Sequence, residues 1–205
     1  MSHYRNNSGG SLSVIIENGQ LRSPSDFITV DNNNITLSPL RDSQIDLCVI
    51  NDDNQSRTQN IHVNFHEPHA SVRIFGLYVA KNHATIDIKT KMNHVVPHCK
   101  SEQLWKGVLH DDAKATFEGN IVVAPHAQKT IAHLQNKNLL LSKNAEIHTR
   151  PFLEINANDV QCTHGATVGF LDAQALFYLR SRGIPEQEAR QVLIDAFVRE
   201  ILDRI

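Results

Sequence analysis

The segment QCTHGATVG, residues 161 to 169, places a cysteine and a histidine two positions apart and then two glycines. If this segment is a β-strand, Cys162 and His164 lie on the same face, with Cβ atoms about 6–7 Å apart. That separation is too long for a hydrogen bond between a cysteine nucleophile and a histidine base. It suits two groups that face a common partner or a shared soft-metal centre, because thiolate and imidazole bind iron, zinc and iron–sulfur clusters.

Two ligands are too few to close a metal site, so further ligands must come from elsewhere, for example from another chain. The alternative is structural: Cys162 is a small buried apolar residue and His164 a hydrogen-bonded turn residue. Gly165 and Gly169 lack a Cβ atom, so another backbone could approach the strand there, or the strand could bend away. The residues alone leave both interpretations open.

The segment HVNFHEPH offers His62, His66, Glu67 and His69 as a second candidate metal site. On a helix His62 and His66 would share a face, but Pro68 and the strand-like IHVNF oppose a helix. On a strand the two histidines are about 13 Å apart, too far for one ion. An exposed strand edge and turn is therefore favoured.

The segment NHVVPHC brings together His94, His98 and Cys99. Neighbouring side chains of a strand diverge, so His98 and Cys99 cannot easily bind one ion. A turn at Pro97 is favoured.

Three carboxylates in DDAKATFEGN, those of Asp111, Asp112 and Glu118, are a candidate pair for glycoside cleavage. That chemistry needs two carboxylates about 5–9.5 Å apart in a groove. Because Asp111 and Asp112 sit in a predicted turn, a polysaccharide-cleaving site is the weaker alternative.

Short alternating strands predict the architecture that carries these residues. In ATIDIKT, for example, Ala84, Ile86 and Ile88 alternate with polar residues, as in a half-buried strand. The runs NHATIDIKT, DDAKATFEGNIVV and KNAEIHT are loosely alike, which favours a solenoid over a sandwich or barrel. Hairpins are predicted at Asn18-Gly19 and in FITVDNNNITL. The other predicted strands include QIDLCVI, IHVNF, SVRIFGLYV, LWKGVL, NLLLS, AEIHT and FLEIN.

The chain changes character at Leu171, where a helical hairpin is predicted. Asp172 is a good N-cap, Gly183 suits the C′ position, and Pro185 suits the first position of a second helix. The second helix has an apolar stripe that only Glu200 interrupts; its other members are Ala189, Val192, Leu193, Ala196, Phe197 and Ile201. The prediction is a β-solenoid domain over residues 1–170 and a helical segment over 171–205, which runs to the last residue without a stop signal.

Composition narrows the class of protein. The 205 residues are 40% hydrophobic, and 20 basic residues nearly balance 22 acidic ones. A nucleic-acid or anionic-membrane surface would need a basic excess, so neither partner is predicted. No apolar run is long enough to span a membrane and no secretory signal opens the sequence, so a cytoplasmic protein is predicted. Three cysteines without a C-x-x-C pair argue against a disulfide framework, and no Walker A motif is present, so no bound nucleotide is predicted.

The sequence from about residue 80 to the end resembles the SufB/SufD family, scaffold components of the SUF iron–sulfur cluster assembly machinery. The most specific matches are LWKGVL, FYLRSRGI and the long stretch between them. That stretch contains AKATFEGNIVV, AQKT, NLLLS, AEIHT and QCTHGATVG. The form C-x-H-G, with His164 two residues after Cys162, looks more like SufD than SufB.

The resemblance implies a right-handed parallel β-helix followed by helices. It implies a non-catalytic SufD-like scaffold that pairs with a SufB-like subunit through the β-helix and with a SufC-like ATPase through the C-terminal helices. It also implies that Cys162 and His164 bind a transient iron–sulfur cluster shared with the partner chain, His164 being the metal ligand. A chain without its partner is expected to form a homodimer through exposed strand edges.

Two departures from the family pattern leave alternatives open. Family members usually carry a helical region before the β-helix, whereas strands are predicted almost from the first residue of this sequence, and the predicted helical segment is shorter than the family pattern. The sequence is therefore either a trimmed form or a reduced homologue. The competing functions are a β-solenoid enzyme acting on polysaccharide and a degenerate homologue that only dimerises; few stacking aromatics, with 3 Tyr and 1 Trp, disfavour the enzyme.

Overall fold

A computed structural model describes residues 11–17, 20–21, 28–31 and 33–204 of the chain. Thirteen strands precede two helices within these residues. The strands are β1 (Ser11–Glu17), β2 (Gln20–Leu21), β3 (Ile28–Asp31), β4 (Asn34–Leu37), β5 (Gln44–Asn51), β6 (Arg57–Phe65), β7 (Ser71–Ala80), β8 (Thr85–His94), β9 (Lys100–Leu109), β10 (Lys114–Val123), β11 (Ile131–Leu140), β12 (Glu146–Ile155) and β13 (Gln161–Phe170). The helices are α1 (Ala173–Ser181) and α2 (Glu186–Leu202).

The strands form a parallel β-solenoid with two sheets. The first sheet has the order β13-β11-β9-β7-β5-β1-β2, and the second has the order β12-β10-β8-β6-β4-β3. From β4 onward the chain alternates between the sheets, so each strand pairs in parallel with the strand one coil earlier. The three runs that look alike in the sequence belong to β8, β10 and β12 and are neighbours in the second sheet. The predicted β-helix with C-terminal helices is confirmed.

Alternate residues of each strand point into the solenoid and stack in columns from coil to coil. Most columns are aliphatic and fully buried, as in the stack of Val63, Met92 and Ile121 on successive coils. Trp105 is the largest interior side chain, and it lies over Gly76, where a Cβ atom would be 1.9 Å from the indole Cε3. Only glycine leaves room for this ring.

Antiparallel hairpins close the N-terminal end of both sheets. Residue 16 of β1 pairs with Leu21 of β2, and Asp31 of β3 pairs with Asn34 of β4. Both pairings agree with the predicted hairpins, although Asn18 and Gly19 lie outside the described residues. Because β1 and β4 also pair in parallel with β5 and β6, the hairpins belong to the solenoid.

One strand prediction is wrong. The segments AEIHT and FLEIN are not separate strands but one strand, β12, which continues through Pro151. Proline lacks the N–H that a ladder needs, so it would normally interrupt a central strand. Among the residues that the structure describes, β12 is the last strand of its sheet and pairs only with β10, and an edge strand tolerates the missing donor.

The two helices begin and end close to the predicted residues. The Asp172 carboxylate accepts a hydrogen bond from the Gln174 N–H at 2.8 Å, and Gly183 has a φ of 87° after α1. Pro185 is the N-cap of α2 and not its first residue, a shift of one position. Neither helix is long and apolar enough to cross a membrane; this holds for the part of the chain that the structure describes.

The predicted apolar stripe of α2 is only partly buried. Ala189 and Ile201 are buried, whereas 48% of Val192 is exposed. Ile201 packs with Cys48, Phe75, Leu77 and Leu104 on the outer face of the first sheet. Contact with the solenoid is therefore concentrated at the C-terminal end of the helix.

Candidate functional site

The cysteine and histidine of QCTHGATVG lie on β13, the last strand of the first sheet. Strand β13 pairs in parallel with β11 alone, which leaves its other edge without a strand among the described residues. In the register of this pair Cys162 follows Ala132 and His164 follows Leu134, both of which point into the solenoid. The segment is thus a strand on which Cys162 and His164 share one face, and both side chains belong to the interior columns at the open end of the solenoid.

Cys162 is half-buried and packs against the main hydrophobic core. On the preceding coil, Cys162 stacks on Ala132 of β11, whose small side chain leaves room for the sulfur. Burial raises the pKa of the Cys162 thiol, an effect that a hydrogen bond with the Ala132 backbone partly offsets. The thiol form is therefore favoured until a metal or a cationic partner displaces the proton.

His164 is exposed, although its column is buried one coil earlier. Its imidazole forms no hydrogen bond or ion pair with another residue in the described ranges. A free imidazole at an open strand edge is accessible to a metal or to a second chain. Cys162 and His164 thus present one half-buried sulfur and one exposed nitrogen on the same face.

The interior face beyond these residues is uncovered as well. Beyond Ala166, Val168 and Phe170 occupy the last interior positions of β13, and 47% and 65% of their side chains are exposed. Strand β13 runs unbroken through Gly165 and Gly169, where a Cβ atom would meet nothing within 4 Å. The end of the solenoid therefore offers apolar side chains and open backbone.

Within the described residues, no group of three or more His, Cys, Asp or Glu side chains is arranged to hold a metal ion. The half-site at Cys162 and His164 accordingly needs ligands from outside these residues.

The histidines of HVNFHEPH do not converge. His62 is exposed on the outer face of β6, and His66 and His69 lie in the following turn. His69 instead stacks on His98 of the next coil, with ring centroids 4.9 Å apart, and both residues adopt positive φ. The favoured interpretation, a strand edge and turn, agrees with this arrangement.

The residues of NHVVPHC also separate. His94 ends β8 inside the solenoid, stacks on Phe65 at 4.2 Å, and lies 2.9 Å from Ser101 Oγ through its Nε2. Cys99 is buried and donates to the Glu67 carbonyl, while His98 is exposed. The buried position of His94 was not predicted from the sequence, since the alternation of β8 becomes informative only once its inward face is known.

The candidate carboxylates are engaged in turns and surface ion pairs. Asp111 accepts from the Asn82 N–H, and Asp112 accepts from the Asn144 amide. Glu118 lies on the outer face of β10, 3.6 Å from Lys89. These contacts give each carboxylate a structural role and do not favour glycoside cleavage.

A polar network inside the solenoid was not predicted from the sequence. The Tyr78 hydroxyl donates to Asn138 Oδ1 and accepts from Asn136 Nδ2, and Asn138 Nδ2 also donates to the Thr167 carbonyl of β13 at 3.3 Å. The network connects the buried interior to the strand that carries His164. Its only signal in the sequence is the pair of asparagines in the alternating pattern of β11.

Comparison with known proteins places these residues in a family context. Residues 19–197 match the model of the SufBD core domain of the SUF system for iron–sulfur cluster assembly. The chain is 44% identical over 136 residues to the iron–sulfur cluster assembly protein SufD of Escherichia coli. The aligned region covers 66% of this chain and 32% of that protein. It is 46% identical over 130 residues to an iron–sulfur cluster assembly SufBD family protein of Synechocystis. This aligned region covers 63% of the chain and 27% of that protein. The chain thus spans about a third of these relatives or less.

Proposed function

Because the chain belongs to the SufB/SufD family and is similar to SufD, we propose that it is a scaffold subunit for iron–sulfur cluster assembly. The observation that carries the proposal is the half-site on β13, where Cys162 and His164 share one face at an open strand edge. The cluster is cargo that the scaffold holds and passes on. In this role the chain is not an enzyme and binds no nucleotide itself.

The partner surface we propose is the open end of the solenoid. In the described part of the chain no strand pairs with the outer edges of β12 and β13, which leaves backbone groups open to a partner, and Phe170 and Val168 expose apolar surface beside them. A SufB-like subunit seated there would cover this surface and supply the missing cluster ligands. Without that subunit, a second copy of the chain would take its place as a homodimer.

The helical segment is the proposed binding site of a SufC-like ATPase. Phe177 and Tyr178 of α1 are 73% and 57% exposed, and α1 has no buried residue. Exposed aromatic side chains of this size mark interaction surfaces in soluble proteins. We propose accordingly that residues 1–170 and 171–205 are separate functional domains, and that the complex acts in the cytoplasm.

Within the site, His164 is the proposed metal ligand and Cys162 packs at the interface or assists it. A neutral imidazole holds iron less firmly than a thiolate and releases it on protonation, which suits a transient site.

Anaerobic reconstitution with ferrous iron and sulfide tests this function. The chain, a SufB-like subunit and their mixture are each followed by visible absorbance of the bound cluster. The mixture should assemble more cluster than the two separate samples together, because the site is shared. A mixture that assembles no more than the SufB-like subunit alone would favour the homologue that only dimerises.

A further inference from the structure

Glu200 interrupts the apolar stripe of α2, and its partner explains the exception. Its carboxylate lies 2.6 Å from the Nζ atom of Lys106 in β9, and Lys137 Nζ is 3.5 Å away. Lys106 lies within the apolar run LWKGVL, and only 5% of its side chain is exposed. A buried ammonium at this position requires a partner that neutralises it.

Three groups of α2 surround the Lys106 ammonium. Besides the Glu200 carboxylate, the Phe197 carbonyl accepts its hydrogen bond, and the Phe197 ring centroid lies 4.6 Å from Nζ. All these contacts fall within one turn of the helix, next to Ile201. The hydrogen bond with Lys106 is the main reason why the pKa of Glu200 is lowered, so the carboxylate stays charged near neutral pH.

This turn is where the helical hairpin is attached to the solenoid. Strands β7 and β9 contact α2, whereas α1 has no buried residue and packs on α2. Apolar contacts at Ile201 are adaptable, because smooth aliphatic surfaces tolerate sliding. A charge pair of fixed geometry allows one register only.

We propose that Lys106, through Glu200, is the positioning residue that fixes the direction in which the helical hairpin leaves the β-solenoid. A buried ion pair of this kind contributes little net stability but strongly disfavours arrangements in which either charge lacks its partner. The pair thereby sets the orientation of the exposed aromatic side chains of α1 relative to β13, whichever partner the helices bind.

Hydrogen exchange of the full chain, measured by mass spectrometry, tests the pairing. The variants are Lys106→Met, Glu200→Leu and the double substitution, with Glu188→Leu as a matched change at an exposed acidic residue of the same helix. Exchange of β10 in the opposite sheet monitors the fold. Glu200→Leu should accelerate exchange at the C-terminal end of α2 at least about tenfold, because it leaves the buried Lys106 ammonium without its carboxylate. Lys106→Met should accelerate it less, because Glu200 is partly exposed and keeps Lys137 as a partner. The double substitution should accelerate exchange less than Glu200→Leu alone.

The exchange rates of the single and double variants distinguish the charge pair of Lys106 and Glu200 from simple apolar packing of α2. If only packing mattered, Glu200→Leu would complete the apolar stripe and slow exchange in α2. The proposal is overturned by that result, by single effects that simply multiply in the double variant, or by acceleration in β10 equal to that in α2. Glu200→Gln, which removes the charge with little change of shape, should reproduce the acceleration and guards against misfolding of the larger changes.

Discussion

Protonation of His94 should destabilise the β-solenoid as the pH falls below neutrality. The ring is fully buried between Phe65 and Val123 of the neighbouring coils, and burial lowers the pKa of His94 from 6.5 to about 4. No described residue faces its Nδ1 atom with a hydrogen bond. The imidazole is therefore neutral in the folded protein at pH values where it is already protonated in the unfolded chain.

The sign and size of the effect follow from the two pKa values. Because the folded pKa is depressed, the stabilisation is complete above pH 6.5 and is lost progressively down to about pH 4, below which the loss levels off. One pKa unit corresponds to about 1.4 kcal/mol, so the complete loss is about 3 kcal/mol. Roughly 2 kcal/mol of it falls between pH 7 and pH 5, above the range in which most carboxylates titrate.

Urea unfolding followed by the fluorescence of Trp105, the single tryptophan, measures this loss at pH 7 and pH 5. His94→Gln removes the titrating group, so its unfolding free energy should fall less over this interval than that of the wild type, by roughly 2 kcal/mol. His62→Gln, a matched change at an exposed histidine, should behave like the wild type. The reasoning is refuted if His94→Gln loses as much stability between pH 7 and pH 5 as the unmodified chain.

Three further outcomes follow from packing and exposure. Gly76→Ala should lower the unfolding free energy by at least about 2 kcal/mol in urea, because its Cβ would collide with Trp105, whereas Gly169→Ala should change it little; equal effects would contradict the close contact. Iodoacetamide at pH 8 should modify Cys162 before Cys48 and Cys99, because Cys48 and Cys99 are buried. Burial also raises the pKa of Cys48 to about 11. Peptide mapping that detects faster modification of Cys48 would contradict this order. Light scattering at tens of micromolar should show a dimer, and a species of 23.0 kDa alone would exclude the proposed self-association.

Local signals in the sequence predicted the elements that depend on neighbouring residues. The alternation in β8, the Asp172 cap and the positive φ of Gly183 are set by nearby backbone and side-chain chemistry, and each has a residue-level signature. The solenoid was harder to predict, because its coils vary in length and only three runs resemble one another. Pro151 shows the same limit, since proline is acceptable in β12 only because that strand ends a sheet.

Contacts between distant residues could not be predicted from the sequence. The alternation of β9 places Lys106 on the outer face, but its burial depends on α2, whose C-terminal turn covers that face. Similarly, the spacing of Cys162 and His164 gives a shared face but not which face of β13 points inward. The register with Ala132 and Leu134 decides that question.

Cluster assembly by His164→Ala in the mixture with a SufB-like subunit tests the central claim most directly. Its folding should be nearly unchanged, because the imidazole is exposed and makes no described hydrogen bond or ion pair. The rate of cluster formation under anaerobic reconstitution should fall sharply, while Cys162→Ser should have a milder effect. If His164→Ala assembles clusters at the wild-type rate, His164 is not the metal ligand. The same conclusion holds if the variant loses cluster assembly and urea unfolding shows that it has also lost its fold.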